Sequence, residues 1–293
     1  MAGWARLPGL FQSILQIPNR LTALLTTAAV PVAEPVLSSQ KEPTSDKIAP
    51  DRESSQMKDI QTGLDVPVIE GIRYARMLGR MHAALNPNWY LEVGTFTGRS
   101  LSKVDCNFVA VDPKFRLKAP LSHPSATQMH LFQQTSDEFF ASGFADRNAI
   151  RFDFAFLDGL HHYEVLLRDF MNAEKLMAKG GVIALHDCCP STVEMTAREK
   201  IEGAWTGDVW KTLLILLRHR PDLDIQVAAA APTGLVIVRN LDPENTTLSD
   251  QYDALIGDYD PIGINDLNGG IAGYYRNFEL KTPADVIGNL VGF

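Results

Sequence analysis

The chain has 293 residues, 45% of them apolar, with a formal charge of −8 and a pI near 5.4. That length and apolar share suffice for one sizeable core with extensions, and the acidic balance, without any Lys/Arg-rich run, argues against a nucleic-acid binder. Three cysteines, two of them adjacent at Cys188 and Cys189, make neither a disulfide framework nor a Cys-based zinc site and fit a reducing, cytoplasmic setting.

Near the start, Leu7, Leu10, Phe11, Ile14 and Leu15 recur at helical spacing. The apolar stretch that follows is interrupted by Pro31, Glu34 and Pro35, so no membrane span is expected. The basic region a secretory signal needs is thin. Residues 1–60 therefore read as an amphipathic, flexible extension, with a Ser/Pro/Lys/Asp-rich linker over 38–57. The spacing of Ile69, Ile72, Leu78 and Met81 predicts a helix over 68–85, ended by Asn86-Pro87. A strand over 89–93 then runs into Gly94-Thr95-Phe96-Thr97-Gly98, a turn expected to open a helix near Arg99.

A second strand, 107–111, ends in Asp112, and a third is expected over 128–132. Ser136 and Asp137 read as a strand exit and helix cap. The run 153–157 is continuously apolar, as in a strand covered on both faces. Leu166, Phe170, Ala173 and Met177 predict a helix over 163–177, broken by Gly180-Gly181 before a strand at 182–185. A helix over 208–219 stops at Pro221, and 225–230 with 235–238 read as a terminal hairpin. The expectation is an α/β fold: a doubly wound, mostly parallel seven-stranded sheet with an antiparallel terminal hairpin. It occupies residues 61–240, and 241–293 form a C-terminal extension, a lid or an oligomerisation arm through which, with the other terminus, copies of the chain would associate.

The glycine turn is not a Walker A loop, because three residues separate Gly94 from Gly98 and Arg99 stands where the lysine belongs. It is not the G-x-G-x-x-G dinucleotide fingerprint either, since Phe96 occupies the second glycine's place. Glu92, two residues before the first glycine, suits a cationic ligand better than a phosphate, and Asp112 lies about 20 residues on, where such folds place a ribose-binding acid. Ligands of open α/β sheets bind beyond the carboxyl ends of the strands. Glu92 with Gly94, Asp112, Asp158 with His161, and His186 with Asp187 all fall at such ends.

Leu91 to Gly98 resembles the first motif of class I S-adenosylmethionine (SAM)-dependent methyltransferases, and Ala110-Val111-Asp112-Pro113 their second-strand acid. With Phe154-Ala155-Phe156-Leu157-Asp158-Gly159-Leu160-His161-His162-Tyr163 and Lys179-Gly180-Gly181-Val182-Ile183-Ala184-Leu185-His186-Asp187, the chain resembles methyltransferase family 24, which is similar to catechol and macrolide-sugar O-methyltransferases. The resemblance spans about residues 66–240 and implies a Rossmann-like methyltransferase fold with SAM as cofactor. It implies that Gly94 and Gly98, with Thr95 and Ser100, shape the cofactor loop, and that Glu92 supports the loop or the cofactor's methionine end. Asp112 would take the ribose hydroxyls, Ser136 and Asp137 would approach the adenine, and Asp158 would also face the cofactor.

Transfer to a hydroxyl needs in-line alignment and removal of a proton. Asp158 and Asp187 offer two hard oxygen ligands for Mg²⁺ or Mn²⁺, which acidifies a bound hydroxyl. Cys188 stands where the catechol-type relatives have a further oxygen ligand, and a thiol is a poor Mg²⁺ ligand. His161 and His186 are the alternative, either as ligands of a softer metal or as a metal-free base. His162 reads as a surface or packed histidine and Tyr163 as a helix start or a cofactor contact. Trp205, Asp208 and Trp210 line an acceptor pocket or belong to the core. The expected activity is O-methylation of a small hydroxylated metabolite, a sugar or a phenol; the alternatives are a metal-dependent hydroxylase-like enzyme on the same scaffold and a non-catalytic scaffold protein.

Overall fold

A computed structural model describes residues 55–58, 65–118, 121 and 125–291. The amphipathic segment and nearly all of the linker expected before residue 58 lie outside them. Its first elements are β1 (Ser55–Lys58) and β2 (Asp65–Val68), an antiparallel pair. The main sheet comprises β3 (Trp89–Val93), β4 (Asn107–Val111), β5 (Met129–Phe132), β6 (Phe152–Leu157), β7 (Met177–His186), β8 (Asp224–Ala228), β9 (Leu235–Arg239) and β10 (Leu280–Lys281). Their order across the sheet is β10-β8-β9-β7-β6-β3-β4-β5, and β9 alone runs antiparallel to its neighbours. The doubly wound sheet with its terminal hairpin is therefore present. Its eighth strand comes from the C-terminal segment, where Leu280 pairs with Val227.

The central strands are apolar on both sides because both faces are covered. Leu91, Val93, Val109, Val111, Ala155 and Leu157 face α4 (Tyr163–Lys175) and α5 (Trp210–His219). Tyr90, Phe108, Ala110, Phe154 and Phe156 alternate to the opposite face, under α1 (Tyr74–Leu85) and α9 (Pro283–Val291). α2 (Ser136–Ala141) and α3 (Phe144–Arg147) follow β5, and α6 (Thr247–Asp250), α7 (Tyr252–Tyr259) and α8 (Gly270–Tyr274) precede β10.

Four local expectations are corrected. The helix expected over 68–85 begins at Tyr74, because Val68 is still paired in β2. No α-helix opens near Arg99; the chain makes only a 3-10 turn, Leu101–Lys103. β4 begins at Asn107, which leaves too few residues after the glycine turn for a crossover helix of ordinary length. α4 stops at Lys175, and Met177 already pairs with Phe152 in β7. Gly180-Gly181 then forms a bulge within that strand instead of preceding it, shown by the register shift between the Phe152 and Phe154 pairings.

Candidate active site

The carboxyl ends of β3, β4, β6 and β7 open into a cavity of about 860 Å³, within the range of small-ligand sites. Gly94 leaves β3 with its N–H on the Val111 carbonyl at 2.8 Å and a φ of +89°. A Cβ there would lie 1.9 Å from the Asp158 carbonyl oxygen, so only glycine lets the turn seat against the end of β6. Beneath the turn Glu92 is fully buried; its carboxylate accepts from Tyr90 Oη at 2.8 Å and Ser100 Oγ at 2.9 Å. Burial pushes its pKa up to about 7, against the pull of those hydroxyls. Gly94, Thr95 and Ser100 line the cavity, whereas Glu92 and Gly98 are not among its walls. Glu92 braces the turn from below and makes no cavity surface.

Asp112 sits at the end of β4, 6% exposed, in the cavity wall. One of its oxygens accepts the Phe96 N–H at 2.8 Å and the other the Lys114 N–H at 2.7 Å. These bonds aim the carboxylate, hold Phe96 at a φ of 42°, and leave each oxygen a further acceptor position. Ser136 and Asp137 also line the cavity. The cap of α2 is Thr135, however, in a capping box with Glu138, so Ser136 and Asp137 are first-turn residues. Both Asp137 oxygens engage Arg168, at 3.0 and 2.7 Å.

The four residues expected to carry chemistry do converge. His186 Nδ1 lies 3.1 Å from Asp158 Oδ1 and 3.3 Å from Asp187 Oδ1. His161 Nε2 lies 3.1 Å from Asp187 Oδ2 and 3.6 Å from Asp158 Oδ1. Burial works against charge on Asp158, His161 and His186, yet the mutual attraction prevails. The histidines hold Asp158 down at about 2, and the carboxylates of Asp187 and Asp158 raise His186 to about 10. His161 is raised too, burial being outweighed by Asp158 and Asp187. Its other nitrogen, Nδ1, is buried without a hydrogen-bond partner.

Four participants had no distinguishing sequence signal. Tyr74, the first residue of α1, lays its ring 3.9 Å from the His186 ring, centroid to centroid. Thr233, from the β8–β9 connection, donates to Asp187 Oδ1 and stands 3.5 Å from His186 Nε2. Tyr274 of α8 donates to the Cys188 carbonyl at 2.6 Å, and Tyr275 donates to that of Pro190 at 2.8 Å, so the C-terminal segment braces the chain just past Asp187. Across the cavity Trp205 stacks on His161, with centroids 4.7 Å apart and planes at 19°. Its Nε1 donates to the Ala197 carbonyl at 2.6 Å. The open alternatives now resolve: Trp205 lines the cavity, while Trp210 is 1% exposed in the core. Asp208 is tied to the Tyr163 N–H and Arg198, His162 is the residue preceding α4, and Tyr163 is fully buried outside the cavity wall.

Asp158, His161 and Asp187 each offer an atom within 4.8 Å of the others, a donor set of two carboxylate oxygens and one imidazole. That set fits a divalent ion such as Mn²⁺, Fe²⁺ or Zn²⁺. Cys188 is not part of it: the thiol is buried and its pKa is pushed up. The described helices include none long and apolar enough to cross a membrane.

Residues 91–188 match the model of a family described as a methyltransferase domain, methyltransferase family 24. This span includes Glu92, the glycine turn, Asp112, Asp158, His161, His186 and Asp187. Solved structures with a similar fold include an O-methyltransferase from Bacillus cereus in complex with S-adenosylhomocysteine (SAH), at 14% identity and a TM-score of 0.41, over 57% of this chain and 80% of that one. Another is the O-methyltransferase TomG from Streptomyces achromogenes, involved in tomaymycin synthesis and in complex with SAM, at 17% identity and a TM-score of 0.41, over 56% and 78%. No curated protein matches the sequence.

Proposed function

Since residues 91–188 match the model of a methyltransferase domain, we propose that the chain is a class I SAM-dependent enzyme that transfers a methyl group from SAM to a hydroxyl of a small acceptor. The observation that carries the hydroxyl assignment is the His161 imidazole in the cavity wall, with Nε2 held between Asp187 and Asp158. The cradle fits the donor. The glycine turn abuts β6, Asp112 has free acceptor positions for vicinal hydroxyls, and Ser136 and Asp137 line the next part of the cavity. When bound, SAM supplies an electrophilic methyl on a sulfonium.

The chain's own residues do the rest. His161 Nε2 lies between the Asp187 and Asp158 carboxylates, which raise the basicity of the imidazole and fit it to take the acceptor's proton. Asp158 and Asp187 stabilise the imidazolium that results, and Thr233 and His186 hold Asp187 in place. Trp205 fixes the His161 ring and shields it from water. A divalent ion held by Asp158, His161 and Asp187 would instead supply Lewis acidity to the hydroxyl. The same donors would suit an Fe²⁺-dependent hydroxylase, a reading that turnover with and without chelator separates from methyl transfer.

Calorimetry with SAH tests the proposal: micromolar binding is expected, and none at millimolar ligand overturns it. Asp112→Ala is expected to weaken SAH at least tenfold, the worth of a charge-assisted hydrogen bond. An affinity within threefold of wild type would remove Asp112 from the donor site.

A further inference from the structure

The charges around the cavity are unevenly matched. Arg168 is bound to Asp137, and Asp158 and Asp187 face His186 and His161. Arg198 and Lys211, nearby on the segment before and within α5, are paired with Glu164 and Asp208. Arg99 and Lys200, in contrast, line the cavity and make no ion pair with any described residue. Lys114 also makes no ion pair with any described residue, but it adjoins Asp112 on the side assigned to the donor's ribose. The lining sets Arg99, Lys114, Arg168 and Lys200 against Asp112, Asp137, Asp158 and Asp187, and His186, held protonated by Asp187 and Asp158, tips the balance to positive in a chain of charge −8; clefts of one sign concentrate ligands of the other.

The two cations stand on different elements beside the same centre. Arg99, in the glycine turn, acts electrostatically on Tyr74, whose ring lies on His186. Lys200 places Nζ 5.9 Å from the centroid of Trp205, whose ring lies on His161. The same cavity lining carries two exposed apolar side chains: Phe96 is 47% exposed and Leu160 54%. SAM brings two positive groups against one carboxylate, so it does not supply the missing negative charge.

We propose that the acceptor carries an anionic group, a carboxylate or a phosphate monoester, which Arg99 and Lys200 hold while its hydroxyl faces His161. This rests on the methyl-transfer reading and narrows its substrate class. An amine-bearing acceptor would be repelled by the same pair.

The test is calorimetry on the full chain with SAH present, using matched acceptors that differ in one charge: 3,4-dihydroxybenzoate against its amide, glucuronate against methyl glucoside, and glucose 6-phosphate against glucose. The expected result is that an anionic member binds at least tenfold more tightly than its neutral partner. Lys200→Gln and Arg99→Gln should each cut that preference several-fold, and the double variant should bring it within twofold. The aryl, sugar-acid and phosphate pairs then tell carboxylate from phosphate. Equal or tighter binding of the neutral member in every pair overturns the proposal, as does failure of all anionic members to bind or a preference that survives in the double variant. Loss of SAH affinity in Arg99→Gln with acceptor preference intact would assign Arg99 to the donor's own carboxylate and likewise overturn it. Failure of SAH to bind the wild type strikes the methyl-transfer reading; normal SAH binding without charge preference strikes only this one.

Discussion

At Gly94 a single methyl group decides whether the glycine turn can form. Its Cβ would meet the Asp158 carbonyl at 1.9 Å, in a backbone conformation that L side chains rarely adopt. Gly94→Ala is expected to cost about 2–4 kcal/mol of stability and to abolish SAH binding, measured by urea denaturation and calorimetry. Asp169 shows a different single-residue effect. Its Oδ1 is buried without a partner, and burial pushes the carboxyl up to about 7. The folded-state pKa lies above the unfolded one, so this group's stabilisation is present at low pH and lost as pH rises through 7. Asp169→Asn should therefore gain on wild type by about 2–3 kcal/mol between pH 5 and pH 8. Denaturation at both pH values reads this directly, and a pH-independent difference would refute it. Glu92 contributes a slope of the same sign in both proteins.

Among the elements, legibility followed burial. β3, β4 and β6 were readable because a strand covered on both faces is an unbroken apolar run. Asp112, Asp158, His161, His186 and Asp187 were readable with them, because strand ends fix where a crevice lies. Tyr74 and Thr233 were not, since each reaches the site from an element distant in sequence and no local spacing marks such a contact. The missing helix after Gly98 and the bulge at Gly180-Gly181 show the limit of glycine as punctuation: it marks a special backbone without saying whether the strand ends or bends. Between α4 and the end of α5, Arg220 meets Glu174 through two bonds of 2.7 and 2.8 Å, with 1% and 4% of the side chains exposed. Glu174→Ala leaves that guanidinium half-matched and should cost on the order of 3 kcal/mol. Its SAH affinity should stay within twofold, because neither residue touches the cavity.

In the molecule as a whole, the segment beyond β9 is integral to the body of the fold. α9 packs on α1, Val286 joins the core beneath that helix, and β10 extends the sheet beyond β8. Removing everything after Asn277 would uncover Met77, Met81 and their neighbours. The truncated chain is expected to lose cooperative thermal unfolding and to bind the hydrophobic dye ANS, while the full chain melts in one transition. The many short helices of this segment explain why it could not be read ahead of the structure: α6 and α8 have four and five residues, too few to show a period.

The hydroxyl of Tyr274 on the Cys188 carbonyl also sets an order of events in time. A polypeptide is made from its amino end, and domains begin to fold as they emerge. The glycine turn, Asp112 and both histidines are all synthesised well before residue 274, as is the whole sheet through β9. Until that tyrosine arrives, the turn carrying Asp187 lacks one of its anchors. A nascent chain would thus hold the sheet, the glycine turn and both histidines before the turn carrying Asp187 gains its Tyr274 anchor.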